Sequence, residues 1–163
     1  MTELRLGDQR VRFDRGATIA AYSVLSDGWA DRCTCSCCRN FILARGQAFP
    51  NEFRTLLSQL GIDLSKEGEA VHYGSVEGNL HFYGGWFYLV GELIEVGERL
   101  ATISLPGSQF LVQQLPGQGG FQYWFASRFA RPPAIFGSRV AALEFSTLLP
   151  WVLENPYNSG TNP

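Results

Sequence analysis

Val71-His72-Tyr73-Gly74-Ser75-Val76, then Glu77-Gly78-Asn79, then Leu80-His81-Phe82-Tyr83-Gly84-Gly85-Trp86-Phe87-Tyr88-Leu89-Val90, is the stretch on which the fold turns. Two runs rich in β-branched and aromatic residues flank a triplet with a central glycine, the pattern of an antiparallel hairpin with a short turn. The second run is the most apolar in the chain. It is interrupted by Gly84-Gly85 and followed by Glu92, so it falls short of the roughly 20 apolar residues that a membrane-spanning helix needs.

Downstream, Glu92 to Val96, Leu100 to Leu105, Phe110 to Leu115, Phe121 to Arg128 and Arg139 to Leu148 read as further strands between turns rich in Gly and Pro. Upstream lies the clearest helix. Pro50 suits its first turn, Phe53, Leu56, Leu57 and Leu60 recur at helical spacing, and Gly61 stops it, so those four apolar side chains should bury one face. A shorter helix is expected over Cys37 to Arg45, with Ser36 as N-cap and Gly46 as its end. Leu4 and Leu6, Val11 and Phe13, and the run Ala17 to Leu25 after Asp14-Arg15-Gly16 predict an N-terminal meander of strands. The expectation is one α+β domain over residues 1–154, mainly an antiparallel sheet of about seven to nine strands with two short helices in its N-terminal half. Residues 155–163, with Tyr157 as the only large side chain, should form a flexible tail. Pro150 should end the last strand and Trp151 fold back onto the domain.

The 163 residues are 45% hydrophobic, 13% aromatic and only 17% charged, a globular balance that favours strands over long helices. A net charge of −2 leaves no excess cation for a phosphate backbone or an anionic membrane. The expected partner is therefore a protein or a small molecule, neither nucleic acid nor membrane. The N-terminus lacks the apolar run of a signal peptide, so a cytoplasmic location is expected.

Cys33, Cys35, Cys37 and Cys38 fall within six consecutive residues and can close only trivial loops, which excludes a disulfide framework. Cys35-x-x-Cys38 places one thiol just before a helix and another in its first turn, where free N–H groups favour thiolate. That is the geometry of a redox pair, although such pairs usually sit in a βαβ layout. Cys33, Cys35 and Cys38 could equally fill three positions around a tetrahedral zinc. Cys37 is awkward for the same ion, and His72 or His81 could complete the shell only if its strand passes the helix start. The two histidines, on paired strands, could share an ion or a proton.

Cys35-Ser36-Cys37-Cys38-Arg39-Asn40-Phe41, Phe49-Pro50, Leu60-Gly61-Ile62-Asp63, Gly85-Trp86 with Val90-Gly91, Leu143-Glu144-Phe145 and Pro150-Trp151-Val152-Leu153 together resemble a family of small uncharacterised bacterial proteins. The family pattern Cys-x-x-Cys-x-Asn-Phe is matched by Cys35, Cys38, Asn40 and Phe41, with Cys37 as an additional thiol. The resemblance implies an intracellular bacterial protein of one domain and carries no catalytic role.

Other constellations read as structure. Gly117-Gln118-Gly119-Gly120 precedes a strand, whereas a phosphate cradle needs a helix after it. Glu67 and Glu69 read as a solvated loop pair. No motif joins a nucleophile, a histidine and a carboxylate, so enzymatic activity stays open. Tyr83, Trp86 and Tyr123 could line an exposed aromatic sheet face suited to a ligand or a protein partner. The sequence thus points first to a non-enzymatic binding or interaction domain. Its alternative is a thiol-dependent metal-binding (zinc) or redox protein built on Cys33, Cys35, Cys38, His72 and His81.

Overall fold

The expected hairpin forms the spine of the structure, a computed structural model that describes residues 1–97 and 120–159 and, between them, the backbone of two strands. Strand β3 (Glu69–Ser75) returns through Gly78 into β4 (Leu80–Glu95), and the Val76 N–H donates to Leu80 O at 2.8 Å, closing the turn. β4 does not stop at Val90. It absorbs the separate strand expected from Glu92, because its second half finds its own partner in β2 (Gln9–Phe13), which pairs antiparallel to β1 (Thr2–Leu6). Gly91 permits this, since a Cβ there would strike the Arg12 carbonyl. The other edge of β4 pairs from Leu80 to Val90 with β8 (Val140–Pro150), and β8 in turn with β7 (Phe121–Ala126).

The result is a six-stranded antiparallel sheet of order β1-β2-β4-β8-β7 with β3 also on β4. Strands β5 (Ala101–Leu105) and β6 (Ser108–Val112) pair as a separate hairpin. The buried Gln9 side chain ties β2 to β7, donating to Phe125 O and accepting from Phe125 N–H, each at 2.7 Å.

Three helices accompany the sheet, one more than the sequence predicts. Ala17 to Leu25 is not a third strand but lies in α1 (Arg15–Val24). Asp14 caps it by accepting the Ala17 N–H at 2.9 Å, and Thr18, Ala21 and Tyr22 turn inward at helical spacing. In α2 (Ser36–Ala48) the cap is Cys35 rather than Ser36, and Gly46 does not end the helix. It stops at Phe49, whose extended backbone is what the following Pro50 enforces. α3 (Asn51–Leu60) ends on Gly61 at φ 79°, and Phe53, Leu56, Leu57 and Leu60 are buried as their spacing requires.

Helices α2 and α3 supply Phe41, Phe49 and Phe53 to the core. These pack, tilted or edge to face, against Tyr83, Phe87, Phe121, Tyr123 and Phe145 of the sheet, with Phe53 as close as 4.8 Å to Phe121 between ring centroids. The molecule is a single α+β domain. Among the described residues no helix is long and apolar enough to cross a membrane.

Candidate thiol site

The site begins with a buried carboxylate. Glu67, expected in solvent, is buried: its Oε1 accepts the Ala30 N–H at 2.8 Å and its Oε2 meets Arg45 Nη1 at 2.6 Å, the two side chains being 0% and 10% exposed. Burial holds its carboxyl above the usual range, against the pull of the Ala30 N–H and the Arg45 guanidinium. The Trp29 N–H also donates to Glu67 O at 3.0 Å. Arg45 belongs to α2, so Glu67 fixes the loop before α2 to α2 itself. Within that loop the 3-10 turn Ala30–Arg32 closes as the Cys33 N–H donates to Ala30 O at 3.1 Å, which delivers Cys33 to the start of the helix.

There the thiols meet. Cys35, as N-cap, accepts the Cys38 N–H on its sulfur at 3.4 Å, satisfying one of the first-turn donors that a helix leaves open. Cys33 Sγ and Cys35 Sγ are 3.3 Å apart, and the sulfurs of Cys33, Cys35 and Cys38 all lie within 4.8 Å of one another. All three residues are half-buried. A hydrogen bond from the Cys35 backbone, then those with the Cys35 and Cys38 side chains, hold the Cys33 thiol below its ordinary value. Burial, followed by its contacts with Cys33 and Cys35, pushes Cys38 up.

Cys37 faces elsewhere. It is buried, and its sulfur lies 3.3 Å from His72 Nδ1, while His72 Nε2 lies 2.9 Å from His81 Nδ1. Burial raises the Cys37 thiol to about 11. Burial and the neighbouring His81 lower His72 to about 4, and burial also lowers His81, so the three form an uncharged, hydrogen-bonded line. The histidines do not complete a shell around Cys33, Cys35 and Cys38, because they are engaged with each other and with Cys37.

The line is roofed from the C-terminus. Trp151 stands 4.8 Å from the His81 ring, and Tyr157, within the segment expected to fray, lies 5.1 Å from His72 and 4.8 Å from His81. Asn40 holds this roof on α2. Fully buried, its amide donates to Pro150 O at 3.1 Å and to Tyr83 Oη at 3.3 Å, and its oxygen accepts the Val152 N–H at 2.7 Å. The nearness of His72 and His81 was expected, whereas the meeting of Cys37 with His72 was what sequence reasoning missed. Its signal was present: Cys37, Asn40, Phe41 and Ala44 are spaced as one face of α2, and all are buried.

The structure does not assemble the aromatic patch. Tyr83 and Tyr123 are 1% and 8% exposed and sit in the core beneath α2 and α3, on the face that also carries Phe145. Trp86 lies opposite Glu144, one register position away, and so points to the other face. Burial of the two tyrosines leaves no shared surface for a partner.

Compared with protein-family models, with curated proteins and with solved structures, the chain matches none.

Proposed function

We propose that this chain is a thiolate metal-binding protein, with zinc as its ion and Cys33, Cys35 and Cys38 as the ligands. The observation that carries the reading is the convergence of three half-buried sulfurs within 4.8 Å. Thiolates around a tetrahedral zinc, each at about 2.3 Å from it, stand about 3.8 Å apart. Small side-chain rotations would bring the three sulfurs to that spacing. The donor set is all sulfur, which selects soft or borderline ions over magnesium and calcium. The lowered Cys33 thiol and the positive end of α2 beneath Cys35 and Cys38 favour charged ligands, while burial of Cys38 opposes them until an ion is bound. A fourth position is left for water or an external ligand, as in zinc sites that keep one place open. Reduced thiols in this arrangement suit a reducing, intracellular compartment.

The test is metal analysis of protein purified without chelator, followed by zinc titration against a chromophoric chelator. One zinc per chain is expected, retained by Cys37→Ser and lost from the Cys35→Ser, Cys38→Ser double variant. A wild-type chain that arrives metal-free and fails to compete for micromolar zinc would falsify the reading.

A further inference from the structure

We infer that Cys35 and Cys38 are a peroxide-sensitive pair whose disulfide releases the metal, so that the same three sulfurs hold the ion when reduced and let it go when oxidised. This inference rests on the metal reading and adds a regulation to it. Its basis is the geometry at the head of α2. Cys35 is the N-cap and its sulfur is already folded over the first turn, accepting the Cys38 N–H at 3.4 Å. The Cys38 side chain leaves that same turn, and both sulfurs belong to the cluster within 4.8 Å. Bond formation therefore asks for rotation about side-chain torsions rather than rearrangement of the helix.

Pairing of Cys33 with Cys35 and any pairing of Cys37 are less favourable. Cys33 and Cys35 are close, at 3.3 Å, yet only one residue separates them, and a disulfide across so short a loop is strained. Cys37 is buried against β3, 3.3 Å from His72 Nδ1, and turned away from the cluster. The half-burial of Cys33, Cys35 and Cys38 leaves them within reach of a molecule as small as hydrogen peroxide.

The chemistry closes with peroxide as the oxidant. The Cys35 sulfur attacks one peroxide oxygen and the O–O bond breaks, giving a sulfenic acid and a hydroxide that takes a proton to become water. The Cys38 sulfur then attacks the sulfenic sulfur, the S–O bond breaks, and the departing oxygen leaves as a second water after taking a proton. In sum, two thiolates, one hydrogen peroxide and two protons from solvent give one disulfide and two waters. Two of three ligands are consumed, and Cys33 alone cannot hold the ion.

The experiment uses the zinc-loaded wild-type chain, titrated with hydrogen peroxide while a chromophoric chelator reports free zinc and mass spectrometry maps the cysteines. One zinc should be released for each mass loss of about 2 Da, with Cys35 linked to Cys38, and a dithiol reductant should restore zinc uptake. A chain that binds zinc and keeps it under peroxide sinks the switch and leaves the metal reading standing. Zinc loss accompanied by sulfinic acid, or by a link through Cys33 or Cys37, also overturns it. A chain that takes up no zinc before peroxide is added sinks both.

Discussion

Replacing the Glu67 carboxylate would leave the Arg45 guanidinium in the interior without its counter-charge, at a contact of 2.6 Å where neither side chain is more than 10% exposed. Breaking one side of such a pair costs about 3–5 kcal/mol. Glu67→Gln should therefore lower the urea midpoint, and because Glu67 also anchors Ala30, it should speed alkylation of Cys33. A second residue-scale prediction concerns pH. His72 has its folded value lowered to about 4 from 6.5, so between those values the unfolded chain binds the extra proton and stability rises with pH. The contribution is fully present above about pH 6.5 and is lost as pH falls toward 4. Denaturation midpoints across that window should fall less steeply in His72→Asn than in wild type; parallel slopes would show that His72 is not buried neutral. The thiols themselves were legible as spacing, since Cys33, Cys35 and Cys38 are read correctly as the group that can converge. Glu67 was not legible, because nothing in a polar loop of Ser, Lys and Glu announces that one carboxylate will be drawn under a helix 20 or so residues away in sequence.

At the scale of elements, α3 shows a sequence signal and its consequence agreeing. Leu57 is 1% exposed and sits on the face packed over the sheet, so Leu57→Ala should cost about 2–5 kcal/mol. Chemical denaturation reads this directly, and an unchanged midpoint would remove α3 from the core. α1 shows the opposite. Its inward residues Thr18, Ala21 and Tyr22 are small or polar-tipped, while Ile19 and Val24 are 42% and 67% exposed. The apolar residues therefore do not mark the buried face, and β-branched Thr, Ile and Val pull the reading toward strand. The Asp14 cap starts the helix, and the Tyr22 hydroxyl, donating to Tyr88 O at 2.9 Å, docks it on the sheet. The hairpin was legible as an element but not in register. From Ser75 opposite His81 and Gly74 opposite Phe82, a regular ladder would set His72 opposite Gly84 and on the face away from His81. An irregularity between His72 and Gly74, where Gly74 adopts φ 144°, sets His72 opposite Tyr83 instead and brings both imidazoles to one face. A one-residue slip exchanges the faces of a strand, and a lone glycine in a strand pattern is the sole hint of it in the sequence.

Across the whole molecule, the head of α2 and the end of β8 act as one unit through Asn40. Its side chain grips the backbone on both sides of Trp151, taking Pro150 O and the Val152 N–H, while the Trp151 N–H donates to Asn79 O at 2.9 Å in the β3–β4 turn. Trp151 and Tyr157 then lie on the His81 and His72 rings, and His72 faces the Cys37 sulfur. Residues more than 100 positions apart thus close over the same buried thiol, which explains why the roof could be expected from Pro150-Trp151 yet its purpose could not. Removing Ser159 to Pro163 should leave stability unchanged, whereas removing everything from Trp151 onward should destabilise the domain. Asn40→Ala separates the roof from the cluster of Cys33, Cys35 and Cys38. It takes the partner from Pro150 O and from the Val152 N–H, two part-buried hydrogen bonds, at about 1 kcal/mol for each. The C-terminal segment should then lift from the histidines, and Cys37 should become the thiol whose alkylation accelerates most. Cys33, Cys35 and Cys38 draw their positions from Glu67 and the Cys35 cap, so zinc stoichiometry should survive the substitution. Quantitative alkylation mapping with and without zinc checks both halves: zinc loss in Asn40→Ala, or protection of Cys37 equal to wild type, would show that the two thiol environments are not independently held.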